Sequence, residues 1–334
     1  MDDAFYMQLA LDEAWKYQLL TYPNPAVGAV VVQNGAILAI EAHQKAGTSH
    51  AEVLALLSAY ETLSKTTIDF DRFDAQRAHA FLLGLPKGFF SQCSIYVTLE
   101  PCAHSGKTPS CASLLSQLGL KEVIVGIEDP IVEHGGGAAV IEKQGSKVVT
   151  GVLEDACSAL IEPFLVWQKR AFVLFKLAQT TNGRIGGGYL SSQDSLEHVH
   201  RLRGVCDRLL IGGNTVRTDH PTLDCRFTGE RAPDITIYSH EKRFDNSIPL
   251  FAVPQRAVDI SDRLDFLEQP SFVLVEGGEG MLKALKDRID WLLVYLTPKL
   301  STNDLSYNIE MNLAFLHQAR TGADIMIWSR HIGH

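Results

Sequence analysis

The spacing of apolar residues predicts alternating helices and strands along the first half of the chain. Apolar side chains recur at helical intervals over residues 4–19 and again from Ala51 to Tyr60, so an amphipathic helix is expected at each place. The run AVGAVVVQNGAILAI is typical of two strands, because its Asn34-Gly35 dipeptide favours a tight hairpin turn. The other elements expected here are strands at 94–99, 121–127 and 145–152 and a short helix at 109–118.

A second series of strands and helices begins near Phe164. Strands followed by helices indicate α/β layers in both halves, so the expected domains are residues 1–165 and 166–334. Residues 61–92 resemble an insertion between a helix and the next strand, and their composition predicts no function. The elements expected in the second half are strands at 172–180, 206–212, 235–239, 271–276 and 291–296 and a helix at 192–203.

Composition and charge narrow the class of protein. A net charge of −9 argues against a large nucleic-acid surface, which needs clustered Lys and Arg, but one or two basic side chains can still hold a phosphorylated small molecule. The acidic start lacks the pattern of a signal peptide, and no apolar run reaches the roughly 18 residues of a membrane span. Six unevenly spread cysteines do not suggest a disulfide framework. We therefore expect a cytoplasmic protein without a membrane or nucleic-acid partner.

Three residues of the first half carry side chains that zinc prefers. His50 precedes the helix that begins at Ala51, and Cys102 and Cys111 follow a strand within TLEPCAHSGKTPSC. One imidazole and two thiolates leave a fourth position for water, whose pKa zinc lowers toward about 7. Glu52 lies two residues after His50 and could carry a proton from this water to a departing amine. This H-x-E and P-C pattern is typical of zinc-dependent deaminases.

Simpler interpretations of the same residues exist. A carboxylate at the start of a helix often only stabilises the helix end, and two cysteines nine residues apart are often structural. The combination favours catalytic zinc, because HAE precedes one amphipathic helix and LEPC opens a second helical region. His104 is a competing ligand, which we assign to the pocket wall because three ligands are already assigned. A zinc-bearing structural module is an alternative, and an open coordination position occupied by water would argue against it.

Beyond the ligand motif, the chain shares longer stretches with a known family. In the first half, these stretches resemble the deaminase half of the RibD family, the bifunctional deaminase–reductases of riboflavin biosynthesis: TYPNPAVGAVVV, HQKAGTSHAE and VTLEPCAHSGKTPSC. In the second half, KLAQTTNGRI, GNTVRTDHPTLDCR and VEGGEGMLKAL resemble the reductase half. The long spacing between the two cysteines separates this branch from cytidine and tRNA-adenosine deaminases. The resemblance implies two three-layer α/β domains, the first cytidine-deaminase-like and the second dihydrofolate-reductase-like.

The resemblance implies two consecutive reactions on a phosphorylated pyrimidine. The first would hydrolytically remove the 2-amino group of 2,5-diamino-6-ribosylamino-4(3H)-pyrimidinone 5′-phosphate, with one Zn²⁺ per chain. The second would reduce the ribosyl group to ribityl with NADPH, giving 5-amino-6-ribitylaminouracil 5′-phosphate. The family also implies a homo-oligomer, a dimer or tetramer assembled through the reductase half.

The resemblance assigns roles to individual residues. His50, Cys102 and Cys111 match the zinc ligands, and Glu52 matches the proton shuttle. Asn24 and His43 match pyrimidine contacts, and Lys107 either matches a phosphate contact or is a solvated loop lysine. The expected NADPH contacts are Ala178, Thr215, Asp219, Ser239, Gly278, Glu279, Gly280, Met281, Leu282, Lys283 and Ala284. The expected substrate contacts are Lys176, Arg203, Leu223, Arg226 and Glu276, with the arginines suited to bidentate phosphate binding.

Reduction of a sugar carbonyl, the reaction that the resemblance implies for the second half, needs a hydride donor and charge stabilisation but no metal. The run VEGGEG ends a strand and opens a helix, which points N–H groups at a phosphate, although it lacks the G-x-G-x-x-G spacing. Lys176 is a strand lysine among apolar residues that either reaches solvent or belongs to the site, and we favour the site.

The departures from the family pattern are Tyr22, residues 129–141, Asn182 in place of aspartate, the shortened loop Gly186–Tyr189, and His220.

Two other functions fit parts of the sequence. One is a deaminase whose reductase-like domain has lost hydride transfer and serves for assembly. The other is a nucleic-acid-editing deaminase with an accessory domain. The acidic charge and the lack of an aromatic and basic stripe argue against the second alternative.

Overall fold

The computed structural model describes residues 2–104, 106, 108–131, 135–186, 188 and 190–332. The chain folds as two compact units, residues 1–162 and 163–334, each with its own sheet. The division lies inside helix Glu154–Trp167, and the domain boundary expected after residue 165 lies in the same helix. Among the described residues, no helix is long and apolar enough to cross a membrane.

The first unit is built on a five-stranded sheet with helices around it. Its elements are α1 Asp3–Trp15, β1 Gly28–Gln33, β2 Ala36–Ala42, α2 Ala51–Ser64, α3 Ala75–Leu83, β3 Cys93–Leu99, α4 Cys111–Leu118, β4 Glu122–Ile127, α5 Gly137–Lys143, β5 Lys147–Val149 and α6 Glu154–Trp167. The strands lie in the order β2-β1-β3-β4-β5; β1 is antiparallel to both of its neighbours, whereas β3, β4 and β5 run parallel.

Helices cover both faces of β1 in the first unit. Ala29 and Val31 belong to one buried cluster with the apolar side of α2. Gly28 points to the opposite face, where a Cβ would lie 1.9 Å from the Ala10 carbonyl oxygen of α1. Only glycine therefore allows α1 to approach the strand this closely. The β1–β2 turn has the positive φ angles of a tight hairpin, 51° at Asn34 and 81° at Gly35, as the dipeptide predicts.

The second unit is built on an eight-stranded sheet. Its elements are β6 Ala171–Thr180, α7 Gln193–Val205, β7 Arg208–Gly212, α8 Gly213–Asp219, β8 Asp234–Tyr238, β9 Val258–Ser261, β10 Ser271–Glu276, α9 Glu279–Leu285, β11 Trp291–Thr297, β12 Asn312–Thr321 and β13 Asp324–Ile332. The strands lie in the order β12-β13-β11-β6-β10-β7-β8-β9. The six strands from β11 to β9 in this order are parallel, and the β12–β13 hairpin joins β11 in the antiparallel direction.

The central strands of the second sheet are buried on both faces, as expected for parallel strands between layers. On one face, Val173 and Phe175 belong to the same buried cluster as Met281 and Leu282 of α9. On the other face, the ring of Phe172 packs edge-on against Trp291. The expected α/β class is therefore confirmed in both units.

The predicted elements differ from the observed ones mainly at their ends. The first helix ends at Trp15 instead of residue 19, where Leu19 has a φ of 66° that no α-helix accommodates. The strand expected at 145–152 is reduced to Lys147–Val149. The first four residues of the expected 61–92 insertion are the last turn of α2, and helix α3 lies within it. The C-terminal hairpin β12–β13 was not predicted.

Candidate metal centre and second site

Two helix starts bring the three expected metal ligands together. His50 is the residue before α2 and has extended backbone angles, so its side chain lies at the helix end and outside the helical turn. Cys111 is the first residue of α4, and Cys102 lies in the loop that follows β3. The backbone N–H of Cys111 donates a hydrogen bond to Cys102 Sγ at 3.4 Å. The first residue of α4 therefore holds the Cys102 sulfur through its backbone N–H and supplies a second sulfur through its own side chain.

The spacing of the donor atoms fits one tetrahedral ion. His50 Nδ1 lies 3.9 Å from Cys102 Sγ and 3.4 Å from Cys111 Sγ, and the three ligand atoms lie within 4.8 Å of one another. Zn–N and Zn–S bonds of about 2.1 and 2.3 Å at tetrahedral angles place the nitrogen and sulfur about 3.6 Å apart. One imidazole and two sulfurs are a typical zinc donor set. The residues present therefore fit zinc.

The environment of the two cysteines favours thiolate formation at Cys102. The hydrogen bond from the Cys111 side chain, together with His50, lowers the pKa of Cys102 to about 4, although burial acts to raise it. The same hydrogen bond to Cys102 raises the pKa of the buried Cys111 thiol. Because the thiolate is the metal ligand, zinc binding would release the remaining thiol proton.

Glu52 lies in the first turn of α2 and is buried, with 4% of its surface exposed. Burial raises the pKa of its carboxyl group, and the nearby charge of His50 opposes this shift. Its side chain is hydrogen-bonded with that of Cys111. A carboxyl group with a raised pKa beside a metal site is suited to accepting and returning a proton near neutral pH.

The expected pyrimidine contacts Asn24 and His43 lie beside the ligands. The ring of His43 is buried, and its centroid lies 5.3 Å from that of His50. Nδ1 of His43 lies 3.2 Å from the Ser49 carbonyl oxygen, and Nε2 lies 3.1 Å from Asn24 Nδ2. Burial lowers the pKa of His43 to about 4, so the ring is neutral, with the proton assigned to Nδ1 by this network. The Asn24 carboxamide oxygen is then left as a hydrogen-bond acceptor for a ligand.

Sequence reasoning missed two residues near the metal ligands. The hydroxyl group of Thr108 lies 3.1 Å from His50 Nε2, the ring nitrogen that faces away from the sulfurs. The Glu100 carboxylate, two residues before Cys102, accepts hydrogen bonds from the backbone N–H groups of Asp129 and Ala138. Neither role has a local signal, although both residues lie inside the ligand motif. Lys107 lies outside the described residues, and His104 does not belong to the cluster of ligand atoms.

In the second unit, Lys176, Arg203 and Glu276 form one buried charged cluster. Glu276 accepts from Lys176 Nζ at 3.1 Å and from Arg203 Nε and Nη2 at 2.7 and 3.0 Å. Burial acts to raise the pKa of Glu276, but the charges of Arg203 and Lys176 hold it well below its usual range. Glu276 accepts from Nε and Nη2 of Arg203, and Nη1 of Arg203 donates to the Asp224 carbonyl oxygen at 3.2 Å. The bidentate phosphate contact expected of Arg203 stays a prediction, which would require this guanidinium to exchange partners.

The parallel register places this cluster at the carboxyl edge of the sheet. Lys176 of β6 lies directly beside Glu276, the last residue of β10. Ligands of open parallel sheets bind at this edge. Ala178 points to the same face of β6 as Lys176, because alternate residues of a strand share a face. These two expected contacts therefore lie side by side near the end of one strand.

The other expected reductase residues are distributed around the same edge. Thr215 and Asp219 lie on α8, which follows β7, and Ser239 follows β8. Arg226 donates to Asp224 at 2.8 Å, and Leu223 is buried with a φ of 56°. In the expected 278–284 contact segment, the Met281 and Leu282 side chains are buried in the core, so mainly its backbone is available to a ligand. Arg217 Nη2 lies 3.5 Å from Ser239 Oγ, so this arginine adjoins one of the expected cofactor contacts.

Asn182, where the family usually has aspartate, is integrated into the turn after β6. Its carboxamide oxygen accepts hydrogen bonds from Thr180 Oγ1 and the Ser301 backbone N–H, at 2.7 and 3.1 Å. Its amide nitrogen donates to the Ser301 carbonyl oxygen at 2.8 Å, which a carboxylate could not do. Tyr189, another departure, lies outside the described residues. His220 ends α8 in a left-handed conformation with a φ of 43°.

Two protein-family profiles match the chain, one in each unit. The cytidine and deoxycytidylate deaminase zinc-binding region matches residues 1–127, and the RibD C-terminal domain matches residues 171–301. The riboflavin biosynthesis protein RibD of Aquifex aeolicus is 36% identical over 243 residues, which cover 70% of this chain and 61% of that protein. The protein of the same name from Actinobacillus pleuropneumoniae is 33% identical over 281 residues, covering 80% and 68%. The aligned part therefore spans less than two thirds of the Aquifex protein.

Solved structures with a similar fold cover almost the whole chain. RibD of Acinetobacter baumannii, form 1, matches with a TM-score of 0.66 at 23% identity and covers 99% of both chains. A diaminohydroxyphosphoribosylaminopyrimidine deaminase/5-amino-6-(5-phosphoribosylamino)uracil reductase from Thermotoga maritima matches with a TM-score of 0.65 at 24% identity, again over 99% of both chains. At these identities the two structures establish the fold alone.

Proposed function

Because the chain belongs to the RibD family of riboflavin-biosynthesis proteins, we propose that it catalyses two consecutive reactions, one in each unit. The first unit deaminates 2,5-diamino-6-ribosylamino-4(3H)-pyrimidinone 5′-phosphate, and the second reduces the ribosyl side chain with NADPH. The observation that carries the proposal is the convergence of His50 Nδ1, Cys102 Sγ and Cys111 Sγ within 4.8 Å of one another, near the buried Glu52. The match of residues 171–301 to the RibD C-terminal domain supports a reductase activity in the second unit.

In the deaminase unit, the metal and the carboxyl group have separate tasks. His50, Cys102 and Cys111 would hold zinc, which when bound makes water nucleophilic near neutral pH. Glu52 accepts a proton at its carboxylate and returns it to the amine that leaves. Burial favours this exchange, because it raises the pKa of Glu52 toward the working pH. Thr108 restrains His50 through Nε2, which leaves Nδ1 directed at the metal.

The Asn24–His43 pair recognises the pyrimidine ring. The neutral His43 ring accepts a hydrogen bond from the Asn24 amide nitrogen, so the Asn24 carboxamide oxygen faces away as an acceptor. An acceptor at this position suits an amino or ring N–H group of an aminopyrimidine. The pair adjoins the ligands through the His43 and His50 rings, so a bound ring would lie close to the metal.

In the reductase unit, the protein orients a sugar carbonyl beside the dinucleotide. NADPH, when bound, supplies the hydride. Glu276 holds the Lys176 ammonium group at the carboxyl edge of the sheet, where its remaining N–H groups can donate to a sugar oxygen. Arg203 secures Glu276, and Arg226 is the arginine whose exposed side chain can still reach a phosphate. Thr215, Asp219, Ser239 and the start of α9 would line the cofactor side.

We also propose that the protein is a cytoplasmic homo-oligomer assembled through the second sheet. Strand β12 is at the edge of that sheet, and the β12–β13 hairpin exposes apolar side chains. An exposed edge with apolar side chains is suited to pairing with another chain. The six cysteines are all free, which suits a reducing compartment. The exposed apolar residues of the hairpin are Leu313, Phe315, Ile325 and Ile332.

A coupled assay on wild type and Glu52→Gln tests the two activities together. We expect the wild type to release ammonia from the diaminopyrimidine without NADPH and to oxidise NADPH when it is added. Glu52→Gln should release no ammonia, yet should oxidise NADPH when the deaminated intermediate is supplied directly. Loss of both activities from a folded, zinc-loaded variant would contradict separate sites. Ammonia release without any NADPH oxidation would support the deaminase-only alternative.

A further inference from the structure

The segment between α2 and β3, residues 65–92, is an ordered part of the first unit. Phe70, Phe81 and Phe89 pack against the buried core of this unit, and Phe90 is completely buried. The ring of Tyr60 on α2 lies 4.9 Å from that of Phe81 on α3. Asp74 begins α3 by accepting a hydrogen bond from the Arg77 backbone N–H. The 65–92 segment therefore has its own helix and a firm attachment to the core.

The 65–92 segment forms hydrogen bonds with the residue that precedes the metal ligand His50. The Ser49 hydroxyl group donates to the Arg72 carbonyl oxygen at 2.7 Å. The Ser49 backbone N–H donates to the Phe73 carbonyl oxygen at 3.2 Å. Ser49 is completely buried, and its own carbonyl oxygen contacts His43. Two consecutive carbonyl groups of the segment thus fix the backbone between the pyrimidine contact and the metal ligand.

The side chain of Arg72 anchors these carbonyl groups. Its guanidinium donates to Glu61 Oε2 at 2.7 Å and to Ser58 Oγ at 3.2 Å, both on α2. It also donates to Glu41 Oε1 at 3.3 Å, on strand β2. Helix α2 begins after His50, and β2 leads into His43. One arginine therefore ties the segment to α2, which follows the metal ligand His50, and to β2, which precedes the expected pyrimidine contact His43.

We propose that the 65–92 segment is a brace for the metal centre, with Arg72 and Ser49 as positioning residues that fix His50 for coordination. The inference rests on the proposed zinc site. Without the brace, the His50 backbone is more mobile before zinc binds. Part of the free energy of zinc binding is then used to fix this backbone, so the measured affinity is lower. Groups that orient metal ligands typically change metal affinity by about 10- to 100-fold, and we expect the lower end because Ser49 acts through the backbone.

The test compares Arg72→Gln and Ser49→Ala with a matched control, Arg77→Gln, in the full-length protein. Arg77 lies on α3, pairs with Asp69 at 3.8 Å, and has its guanidinium carbon 5.0 Å from the centroid of the Phe70 ring. Its side chain is 58% exposed, so these two contacts together contribute little. The zinc dissociation constant is measured by competition with a chromogenic chelator, and the ligand-field spectrum of the Co²⁺-substituted protein reports the geometry. We expect about tenfold weaker zinc binding and an altered Co²⁺ spectrum for both brace variants, with wild-type values for Arg77→Gln.

The possible outcomes distinguish a failure of the proposed brace from a failure of the proposed zinc site. A wild type that binds no zinc would overturn the proposed site. A wild type that binds zinc, with Arg72→Gln and Ser49→Ala binding it equally well and with the same Co²⁺ spectrum, would overturn the brace alone. If Arg72→Gln does not fold, Ser49→Ala decides, because it removes one hydroxyl group and leaves the backbone hydrogen bond to Phe73 in place.

Discussion

Replacing Glu276 with Gln tests whether the charged cluster of the second unit depends on one carboxylate. The side chain keeps its size and shape, so no cavity forms. A carboxamide can accept from Arg203 through its oxygen, but its NH₂ group then faces a donor N–H of Arg203 or Lys176. The variant therefore leaves two buried cations without the anion that they share.

The buried positions of these side chains set the size of the effect. Side-chain exposure is 11% for Glu276 and Arg203 and 18% for Lys176, so solvent screens their charges weakly. Removing one partner of a buried ion pair costs about 3–5 kcal/mol. With an m-value of about 2 kcal/mol per molar urea, the unfolding midpoint of this unit should fall by about 2 M.

Urea unfolding followed by tryptophan fluorescence measures this shift. Three of the four tryptophans, Trp167, Trp291 and Trp328, lie in the second unit, so the signal reports mainly its unfolding. The matched control is Arg288→Gln, which breaks a pair with Glu268 whose side chains are 57% and 61% exposed. It should change the free energy of unfolding by less than about 1 kcal/mol. A Glu276→Gln midpoint within the range of this control would show that the charged cluster does not depend on the Glu276 carboxylate.

Four further predictions concern other parts of the molecule. The contribution of Glu276 to stability should be fully present above its ordinary pKa of 4.5 and be lost as the pH falls toward its lower pKa in the folded protein. The difference in urea midpoint between wild type and Glu276→Gln should therefore shrink below pH 4.5. Thr108→Val removes the partner of His50 Nε2 and should weaken zinc binding at least about tenfold in a chelator competition, and unchanged affinity would exclude this role. Asn182→Asp loses the donor to the Ser301 carbonyl oxygen and should lower the free energy of unfolding by about 1 kcal/mol in urea, whereas a stabilised variant would show that the family's aspartate suits this turn as well. Phe315→Asp places a charge on the exposed hairpin, where the side chain is 79% exposed, and should shift sedimentation velocity toward the monomer, and an unchanged oligomer would move the interface elsewhere.

Local signals predicted the elements around the metal centre. The Asn34-Gly35 dipeptide predicted the hairpin because both residues tolerate positive φ, which they adopt. His50 and Glu52 were recognisable because their spacing is tied to a helix start. Cys102 and Cys111 were recognisable because they flank a strand end and a second helix start. The three ligand atoms lie together as their residue types predict.

Contacts between distant parts of the chain could not be predicted in this way. The guanidinium of Arg203 is occupied by Glu276, which lies 73 residues further along, and nothing in the local sequence indicates that pairing. The role of the 65–92 segment depends on Arg72 reaching Glu41 and Glu61, contacts that exist only after the sheet and α2 have packed. The β12–β13 hairpin had a signal in its two-residue Gly322-Ala323 turn, where Gly322 has a φ of 57°. That signal was missed because the strands carry polar residues at many positions.

X-ray absorption at the zinc K-edge of the purified protein is the decisive measurement for the metal centre, because it identifies and counts the ligand atoms around the metal. We expect one zinc per chain with two sulfur atoms at about 2.3 Å and two nitrogen or oxygen atoms at about 2.0–2.1 Å, from one imidazole and one water. A protein that retains no zinc, or a metal surrounded by four sulfur atoms, would be incompatible with a centre formed by His50, Cys102 and Cys111.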